Sequence, residues 1–395
     1  MMSLRFLTAG ESHGPGLTLI LEGLPAGLPL DSSVMDADLA RRQHGYGAGP
    51  RMKLERDHAR ILGGVMAGKT TGAPLAIYIE NLDHARWKGK TIPRFTIPRP
   101  GHADLTGALK YGYNDLRPAL ERASARETAA RVAAGAVCRH LLAQFGVRIG
   151  GYVCAIGEVE ARLADMPLEE RIRRALESEV GCPDEQAAAA MQARISEIIH
   201  QRDTLGGVIE ALALGLPPGL GSYVHWERRL DARLAGAVMS IPAIKGVEIG
   251  PAFENARLPG TRAHDAIRLE GDGALRREGS GSGGLEGGVT TGQPLLVRAA
   301  MKPIATTLTP QRSVDLAAGQ EVDTRYERSD FCPVPRAVVI VEAMLAFILA
   351  DALLEKLGGD SLAEMLPRFA ALPRARLADL PMAASDTLFW EDQQP

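Results

Sequence analysis

The chain has 395 residues, of which 46% are hydrophobic, and its 45 lysines and arginines against 48 acidic residues give a net charge of −3. This length is enough for one large core or for two ordinary domains. The balanced charge excludes a generic nucleic-acid binder, because affinity for a phosphate backbone needs a basic excess on one face.

The four cysteines lie far apart and lack the spacing of metal ligands, which predicts free thiols in a reducing compartment and no metal site. The N-terminus has no apolar core of the kind that a cleaved signal carries. The longest apolar run, residues 337–354, is interrupted by Glu342 and Asp351. This run predicts a buried helix, and we expect a cytoplasmic protein without membrane contacts.

The first part of the chain predicts short strands separated by glycine-rich loops. Residues 10–16 and 45–51 are too rich in glycine for regular structure. Between them, residues 36–43 predict a short helix with two arginines at its C-terminal end. Predicted strands lie at residues 5–9, 17–21, 59–62 and 75–79.

Residues 63–70 match the phosphate-loop pattern GxxxxGK[ST]. That pattern needs a strand before it and a helix after it, so that backbone N–H groups and the helix dipole point at the phosphates. Here Gly72, Ala73 and Pro74 follow, and they cannot open a stable helix. A nucleotide-binding phosphotransferase is therefore only a minor alternative. A Rossmann dehydrogenase is not predicted either, because no GxGxxG lies between a strand and a helix.

The helix with the clearest start signal begins at Ser124. Ser124 and Glu127 have the spacing of a capping box, and an apolar stripe at i, i+3 and i+4 continues to a predicted end near Gly146. Arg122 and Arg126 flank the N-terminus of this helix. Free N–H groups, the helix dipole and guanidinium groups together favour a bound anion such as phosphate. A surface helix with solvated arginines is the alternative.

Two copies of one pattern suggest an internal duplication. GLPAGL at residues 23–28 follows an apolar strand, and GLPPGL at residues 215–220 follows another strand at 208–214. A polar helix follows each copy, the second at residues 229–240. The repeat of strand, turn and helix predicts a duplicated αβ unit in one body, with chance recurrence of common residues as the alternative.

The second half of the chain also contains a predicted helix at residues 185–199, which Asp184 begins. A glycine-rich segment at residues 279–292 leads into a predicted strand at 295–300. Because it lies between strand-like segments, we expect its glycines to allow close approach to a ligand rather than to form a linker.

Distinctive motifs recur in order from about residue 3 to residue 357. They are Gly10-Glu11-Ser12-His13-Gly14, Glu22-Gly23-Leu24-Pro25, Arg41-Arg42-Gln43 with Gly45-Tyr46-Gly47, Arg99-Pro100-Gly101-His102-Ala103-Asp104, Glu121-Arg122-Ala123-Ser124-Ala125-Arg126-Glu127-Thr128, Met301-Lys302-Pro303-Ile304, and Arg328-Ser329-Asp330. Together these motifs resemble the chorismate synthase family.

This resemblance implies a lyase of the shikimate pathway. Such an enzyme converts 5-enolpyruvylshikimate 3-phosphate to chorismate by an anti-1,4-elimination of phosphate and a ring proton. The resemblance implies reduced FMN as the cofactor, although the reaction has no net redox change, and NADPH as one candidate reductant. It also implies a homotetramer.

The implied fold is a β-α-β sandwich with internal pseudo-two-fold duplication, which agrees with the repeated GLPxGL pattern. No clean boundary divides the chain. We therefore predict a single α+β catalytic domain over residues 1–357, with residues 358–395 as a C-terminal tail.

By the same resemblance, three residues have catalytic roles. His13 would protonate the departing phosphate, His102 would stabilise the reduced flavin near N1, and Asp330 would help flavin N5 take the ring proton. Histidine suits both of its roles because it changes protonation near neutral pH. The alternatives are an ordinary loop hydrogen bond for each histidine and a plain ion pair for Asp330.

The phosphate and two carboxylates of this substrate require an arginine-rich pocket. By motif, that pocket consists of Arg42, Arg99, Arg126 and Arg328. The FMN contacts implied by the resemblance are Arg122, Ala123, Ser124, Asn255, Ala256, Gly287, Lys302, Pro303, Ile304, Ala305, Thr306 and Arg328.

One position departs from the family pattern. Many relatives have GYGRG where this chain has Ala48 in place of the arginine. The change predicts weaker substrate binding unless Arg51 compensates. It leaves an FMN-binding homologue with impaired substrate binding as an alternative to an active enzyme.

Overall fold

A computed structural model describes residues 4–47, 56–164, 166–325 and 329–387 as a mixed structure of helices and strands. The strands are β1 Arg5–Ala9, β2 Gly16–Glu22, β3 Ala59–Gly63, β4 Val65–Met66, β5 Lys69–Thr70, β6 Leu75–Glu80, β7 Arg148–Ile156, β8 Val159–Glu160, β9 Gly207–Leu214, β10 Ile244–Ile249, β11 Ala266–Leu269, β12 Leu275–Glu278, β13 Leu285–Glu286, β14 Val289–Thr290, β15 Leu295–Met301, β16 Arg312–Asp315 and β17 Gln320–Asp323. The helices are α1 Ser33–Gln43, α2 Asp104–Tyr111, α3 Arg117–Arg122, α4 Thr128–Ala143, α5 Leu168–Glu177, α6 Glu185–Gln201, α7 Leu230–Met239, α8 Ala252–Asn255, α9 Gly260–Ala263, α10 Val334–Leu357 and α11 Leu362–Ala370.

Two antiparallel sheets carry most of the strand residues. The first has the order β1-β2-β6-β3, and the second has the order β10-β15-β9-β7-β8. In β2 and β6 the buried residues alternate with more exposed ones, as expected of strands with one face on the core. Leu17, Leu19 and Leu21 of β2 pair in register with Ile79, Ile77 and Leu75 of β6, and all six side chains are buried in the main core.

Helices α4 and α10 pack against each other and against the sheets. Gly135 of α4 lies at their contact, where a Cβ atom would stand 2.3 Å from the Cα of Ala343. A side chain at this position would therefore force the two helices apart. The contact fixes the N-terminal ends of α4 and α10 relative to each other, and both ends border the cavity described below.

Helix α10 confirms the prediction of a buried helix at residues 337–354. It is apolar on all sides, as expected of a helix that is surrounded by protein. The helix is long and apolar enough to span a membrane, but 83% of its most apolar stretch is buried within the protein.

The predicted strands and the helices at 36–43, 185–199 and 229–240 are confirmed, with their ends shifted by a few residues. Asp184 caps α6 as predicted, accepting hydrogen bonds from the N–H groups of Gln186 at 3.0 Å and Ala187 at 3.2 Å.

Only one of the two hydrogen bonds of the predicted capping box at Ser124 is present. The Ser124 hydroxyl accepts the N–H of Arg126 at 3.3 Å and caps a 3₁₀ turn over Ala125–Glu127, after which α4 begins. The carboxylate of Glu127 does not reach back to Ser124. It instead accepts hydrogen bonds of 2.8 Å from Thr8 and from Arg131. The Arg131 guanidinium is a charged donor one helical turn away, and it outcompetes a backbone N–H.

The segment that matches the phosphate-loop pattern forms the hairpin β4–β5 rather than a strand and helix, which confirms that the pattern is misleading. The Thr70 hydroxyl donates to Pro25 O at 2.6 Å and accepts the N–H of Leu28 at 3.0 Å. The N–H of Thr70 donates to Leu28 O at 2.9 Å. These groups bind the first GLPxGL turn and are not available to a phosphate.

The hairpin β13–β14 in the second half makes the same contacts with the second GLPxGL turn. The Thr290 hydroxyl donates to Pro217 O at 2.7 Å and accepts the N–H of Leu220 at 2.8 Å.

Gly284 has a φ of +87°, and a Cβ atom there would lie 2.5 Å from Pro294 O. The close approach that this glycine permits is thus to the chain itself.

The start of the predicted tail packs on the rest of the chain. The N–H of Leu362 donates to Ala26 O at 2.9 Å, and the N–H of Ala26 donates to Asp360 O at 2.8 Å. Leu362 and Met365 are buried in the main core. The domain boundary at residue 357 stays a prediction.

Candidate active site

A cavity of about 1130 Å³ opens where the N-terminal ends of α4 and α10 meet the loops after β1 and β15. Ligand pockets in proteins commonly measure about 300–1,000 Å³, so this cavity has room for more than one small molecule. Its wall includes both apolar side chains and arginines.

Most of the predicted site residues line this single cavity. They are His13, Arg42, Arg99, His102, Arg122, Ala123, Ser124, Arg126, Lys302, Ile304, Ala305, Thr306 and Asp330. Residues that are distant in sequence therefore converge on one cavity. Arg328 lies outside the described residues, as do Ala48 and Arg51.

Four predicted FMN contacts do not line the cavity: Asn255, Ala256, Gly287 and Pro303. The Asn255 side-chain amide donates to Gly281 O at 2.7 Å, and Gly287 lies in the turn between β13 and β14. Pro303 stands between two residues that do line the cavity. The roles of these four residues stay predictions.

Arg126 is anchored by residues at the end of β6 and by an aspartate just before β3. Its Nε donates to Asn81 Oδ1 at 2.7 Å, and its Nη1 donates to Asp57 Oδ1 at 2.6 Å. Its Nη2 donates to Glu80 O at 3.2 Å. Three of the five guanidinium N–H groups are thus engaged, and the head group is held rigidly at the cavity wall.

Arg42 lies beside Arg126, and one of its guanidinium nitrogens has no hydrogen-bond partner within the described part of the chain. Its Nε donates to Thr128 Oγ1 at 3.0 Å and its Nη2 to Ala125 O at 2.9 Å. Its buried Nη1 has no hydrogen-bond partner among the described residues, and Asp57 Oδ2 lies 3.6 Å away. A buried donor without a partner at a cavity wall is a position that a ligand acceptor can occupy.

The surroundings of Arg42 disfavour its positive charge. Burial lowers the pKa of this guanidinium most, and the nearby cations Arg336 and Arg126 lower it further, while Asp57 and Asp330 act in the opposite direction. An anion in the cavity would compensate this excess of positive charge.

Arg336, in the first turn of α10, is a cavity residue that the sequence interpretation missed. Its Nε donates to Arg42 O at 2.8 Å, and its Nη1 forms an ion pair with Asp330. It therefore ties α10 to the end of α1.

His13 lies in the loop between β1 and β2. Its Nδ1 is 2.7 Å from Oε1 of Glu121, and its backbone N–H donates to Oε2 of the same carboxylate at 2.8 Å. The indole of Trp87 packs on the imidazole, with ring centroids 4.6 Å apart. The histidine that motif reasoning selected is thus held from two sides.

His102 and Arg99 share one buried carboxylate. Arg99 donates to Asp104 through Nε at 2.8 Å and through Nη2 at 3.0 Å, and Nδ1 of His102 is 2.6 Å from Asp104 Oδ1. Burial opposes the ionisation of Asp104, but the hydrogen bonds from His102 and Arg99 outweigh it and hold the pKa of this carboxyl below its ordinary value of 3.8.

Two predicted FMN-binding residues contact protein oxygens in this structure. Arg122 donates through Nη2 to Thr8 O at 2.9 Å and to Thr8 Oγ1 at 2.8 Å. Lys302 donates to Gly101 O at 2.8 Å. These contacts hold both cations beside loops that border the cavity. Each side chain has further N–H groups that can donate to a ligand.

Comparisons with known proteins agree with the motifs. The family model for chorismate synthase matches residues 4–354. A chorismate synthase of Desulforudis audaxviator is 54% identical over 372 residues, which cover 92% of this chain and 95% of that protein. A solved structure described as a crystal structure of chorismate synthase is 44% identical, with a TM-score of 0.77 and coverage of 94% of this chain and 97% of that chain. The chain belongs to the chorismate synthase family.

A second chorismate synthase, from Chlorobaculum tepidum, is 50% identical over 382 residues and covers 92% of this chain and 96% of that protein. These matches confirm the resemblance that the motifs carry, and with it the prediction of a lyase of the chorismate synthase family. The mixed helix and strand architecture agrees with that of the solved chorismate synthase.

Sequence interpretation missed the acidic partners of the motif residues. Asp104 belongs to the motif that holds Arg99 and His102, so an acid two residues after a histidine was a usable signal. Glu121 opens another motif, but nothing in the sequence connects it to His13, which is 108 residues away. Asp57 lies in no motif, and no local pattern predicts that it joins Arg42 and Arg126.

Proposed function

We propose that this protein catalyses the anti-1,4-elimination of phosphate from 5-enolpyruvylshikimate 3-phosphate to give chorismate, with reduced FMN as cofactor. We place this reaction in the cytoplasm, as a step toward aromatic amino acids. The observation that carries the proposal is the group of buried arginines around the free Nη1 of Arg42.

That group suits an anionic substrate. Arg42, Arg126 and Arg336 form a cluster of three guanidinium groups, and the ion pairs of this cluster are with two carboxylates, of Asp57 and Asp330. The positive charge in excess favours an anion, and fixed guanidinium groups bind phosphate and carboxylate oxygens in defined directions.

The residues of the chain would divide the work of the elimination. Arg42 and Arg126, with Arg99 and Arg328, would hold the phosphate and the two carboxylates, and would balance the charge of the departing phosphate. His13, protonated at both ring nitrogens, would give its Nε2 proton to that phosphate and be left in the Nδ1–H form that faces Glu121. Asp330 would take part in removal of the ring proton.

The cavity residues fit a flavin as well as a substrate. Leu120, Ile304 and Ile340 supply apolar surface for a planar ring system, while Arg122 and Lys302 are cations within reach of an anionic group. When bound, reduced FMN supplies the electron donation that weakens the carbon–oxygen bond. The protein would hold both molecules together and keep water out of the contact. NADPH is the reductant that we would test first.

We also infer that the fold is a β-α-β sandwich with an internal pseudo-two-fold duplication in one domain, followed by the tail at 358–395. The matched hydrogen bonds of Thr70 and Thr290 with the two GLPxGL turns support the duplication. We further propose a homotetramer without nucleic-acid or membrane partners.

The test is an anaerobic assay with purified protein, photoreduced FMN and 5-enolpyruvylshikimate 3-phosphate. Chorismate absorbance and released phosphate should rise together with reduced FMN and stay flat with oxidised FMN. A folded protein that binds flavin and forms no product would contradict the proposal, and so would a failure to bind flavin.

The variant Lys69→Ala serves as the control for the alternative function. Lys69 is the exposed lysine of the phosphate-loop pattern, and its loss should leave turnover unchanged. ATP binding without flavin binding would instead support the nucleotide-binding alternative.

A further inference from the structure

Both carboxylate oxygens of Glu121 contact His13, which lines the cavity. Oε1 lies 2.7 Å from Nδ1 of His13, and Oε2 accepts the backbone N–H of His13 at 2.8 Å. Both side chains are largely buried, with 20% of His13 and 13% of Glu121 exposed. The carboxylate thus fixes the backbone and the ring of His13 together.

The contact determines which ring nitrogen carries the proton. An ionised carboxylate can only accept hydrogen bonds, so Nδ1 of His13 must be the donor. Burial opposes the ionisation of Glu121, but the hydrogen bonds from the ring and the backbone N–H of His13 outweigh it and hold the pKa of this carboxyl below its ordinary value of 4.5. Nε2 is then the ring nitrogen that is left for the cavity.

Helix stability does not explain a glutamate at this position. Glu121 is the penultimate residue of α3, where the helix dipole disfavours negative charge. Arg117, four residues earlier in α3, favours the ionised carboxylate less than the hydrogen bonds from His13 do. The main gain therefore comes from the tertiary contact, in which two N–H donors meet two carboxylate oxygens.

We propose that Glu121 is a positioning residue, which holds the His13 ring with Nδ1 toward itself and Nε2 toward the cavity, and so directs proton transfer to the leaving group. The catalytic part of this inference rests on the proposed function. The assignment of the Nδ1–H form does not, because it follows from the contact alone.

Glu121→Gln is the sharpest variant. An amide has one accepting oxygen and one donating NH₂ group, so it can accept only one of the two N–H groups of His13, and its NH₂ faces the other. Mutation of a group that orients a metal-binding histidine through its second ring nitrogen costs about 10- to 100-fold in metal affinity or activity, and we take this as the scale for a histidine held in the same way. We expect a loss of that size in kcat, with KM changed less than about twofold.

The matched control is Glu177→Gln. Glu177 ends α5 and forms a surface ion pair with Arg173, so the same chemical change occurs at another helix end, away from the cavity. We expect its kcat to equal that of the wild type. Glu121→Asp keeps the charge but shortens the side chain, and its kcat should lie between those of the wild type and Glu121→Gln.

The ¹⁵N spectrum of histidine-labelled protein distinguishes this positioning role from a merely structural one. The His13 signals are assigned as those that disappear in His13→Ala. At a pH where His13 is neutral, wild type should show the Nδ1–H form, and Glu121→Gln should show a mixture of both forms. An Nε2–H form in wild type would overturn the proposal even if no variant folds, and so would an unchanged kcat in folded Glu121→Gln. An inactive wild type with the Nδ1–H form would instead overturn the proposed function.

Discussion

A carboxylate holds each of the two cavity histidines, but the two carboxylates differ in their place in the chain and in their other partners. His13 and His102 each present Nδ1 to a carboxylate, at 2.7 Å from Glu121 and 2.6 Å from Asp104. Glu121 comes from 108 residues away and binds the ring and backbone of His13. Asp104 is two residues from His102, is completely buried and also binds Arg99.

We therefore expect Glu121 mainly to orient the His13 ring and Asp104 mainly to compensate positive charge. Loss of the Glu121 contact should disturb the direction of one ring. Loss of Asp104 should leave a cationic arginine and a histidine without their shared carboxylate inside the protein. The first change should therefore affect mainly kcat, and the second should affect stability and substrate binding as well.

The largest expected effect comes from removing a ring altogether. His13→Ala should lower kcat by about 10²- to 10⁴-fold, the usual range for a positioned proton donor. Turnover with saturating reduced FMN measures it, with His200→Ala as a control, because His200 is a surface residue of α6. If His13→Ala stays within a few-fold of the wild type, His13 is not the proton donor.

Asp104→Asn should follow in size. Removal of one partner from a buried ion pair costs about 3–5 kcal/mol in the free energy of unfolding, because the remaining charge is left uncompensated. KM should also rise, since Arg99 loses its bidentate anchor. Urea unfolding and steady-state kinetics measure both. A destabilisation no larger than that of Glu121→Gln would contradict the distinction between the two carboxylates.

The pH dependence of stability sharpens the same distinction. The folded-state pKa of Asp104 lies below its ordinary value of 3.8, so its ion pairs stabilise the protein above that pH and lose their effect as the pH falls below it. Below about pH 4, the difference in free energy of unfolding between wild type and Asp104→Asn should shrink as the pH falls, by up to about 1.4 kcal/mol per pH unit. Denaturant unfolding at a series of pH values below about 4 measures this difference, and a difference that grew as the pH fell through this range would contradict the assigned ion pairs.

Trp87→Leu should have the smallest effect. The indole packs on the His13 ring at 4.6 Å, and such aromatic contacts contribute about 0.5–1.5 kcal/mol beyond their buried area. With the Glu121 contact intact, kcat should fall only about threefold. A loss as large as that of Glu121→Gln would show that the contact with Trp87, as much as the carboxylate, orients the ring.

Motif residues and local elements were predictable from the sequence. Helix α10 followed from its apolar run, α6 from the Asp184 cap, and the failure of the phosphate-loop pattern from Pro74. Each of these depends on residues close together in the chain.

The rest depends on tertiary contacts. Glu127 was expected to cap its own helix, but Thr8 and Arg131 take its carboxylate. The partners Glu121 and Asp57 could not be found, because no spacing rule links a carboxylate to a histidine or an arginine that only the fold brings near.

A crystal structure with oxidised FMN and 5-enolpyruvylshikimate 3-phosphate tests the central claim, that one cavity holds both molecules, most directly. We expect the anionic groups of the substrate at Arg42 and Arg126, with Nε2 of His13 within hydrogen-bond reach of the phosphate ester and the flavin between Lys302 and α4. A flavin or substrate bound outside this cavity, or an Nε2 turned away from the phosphate, would contradict the account.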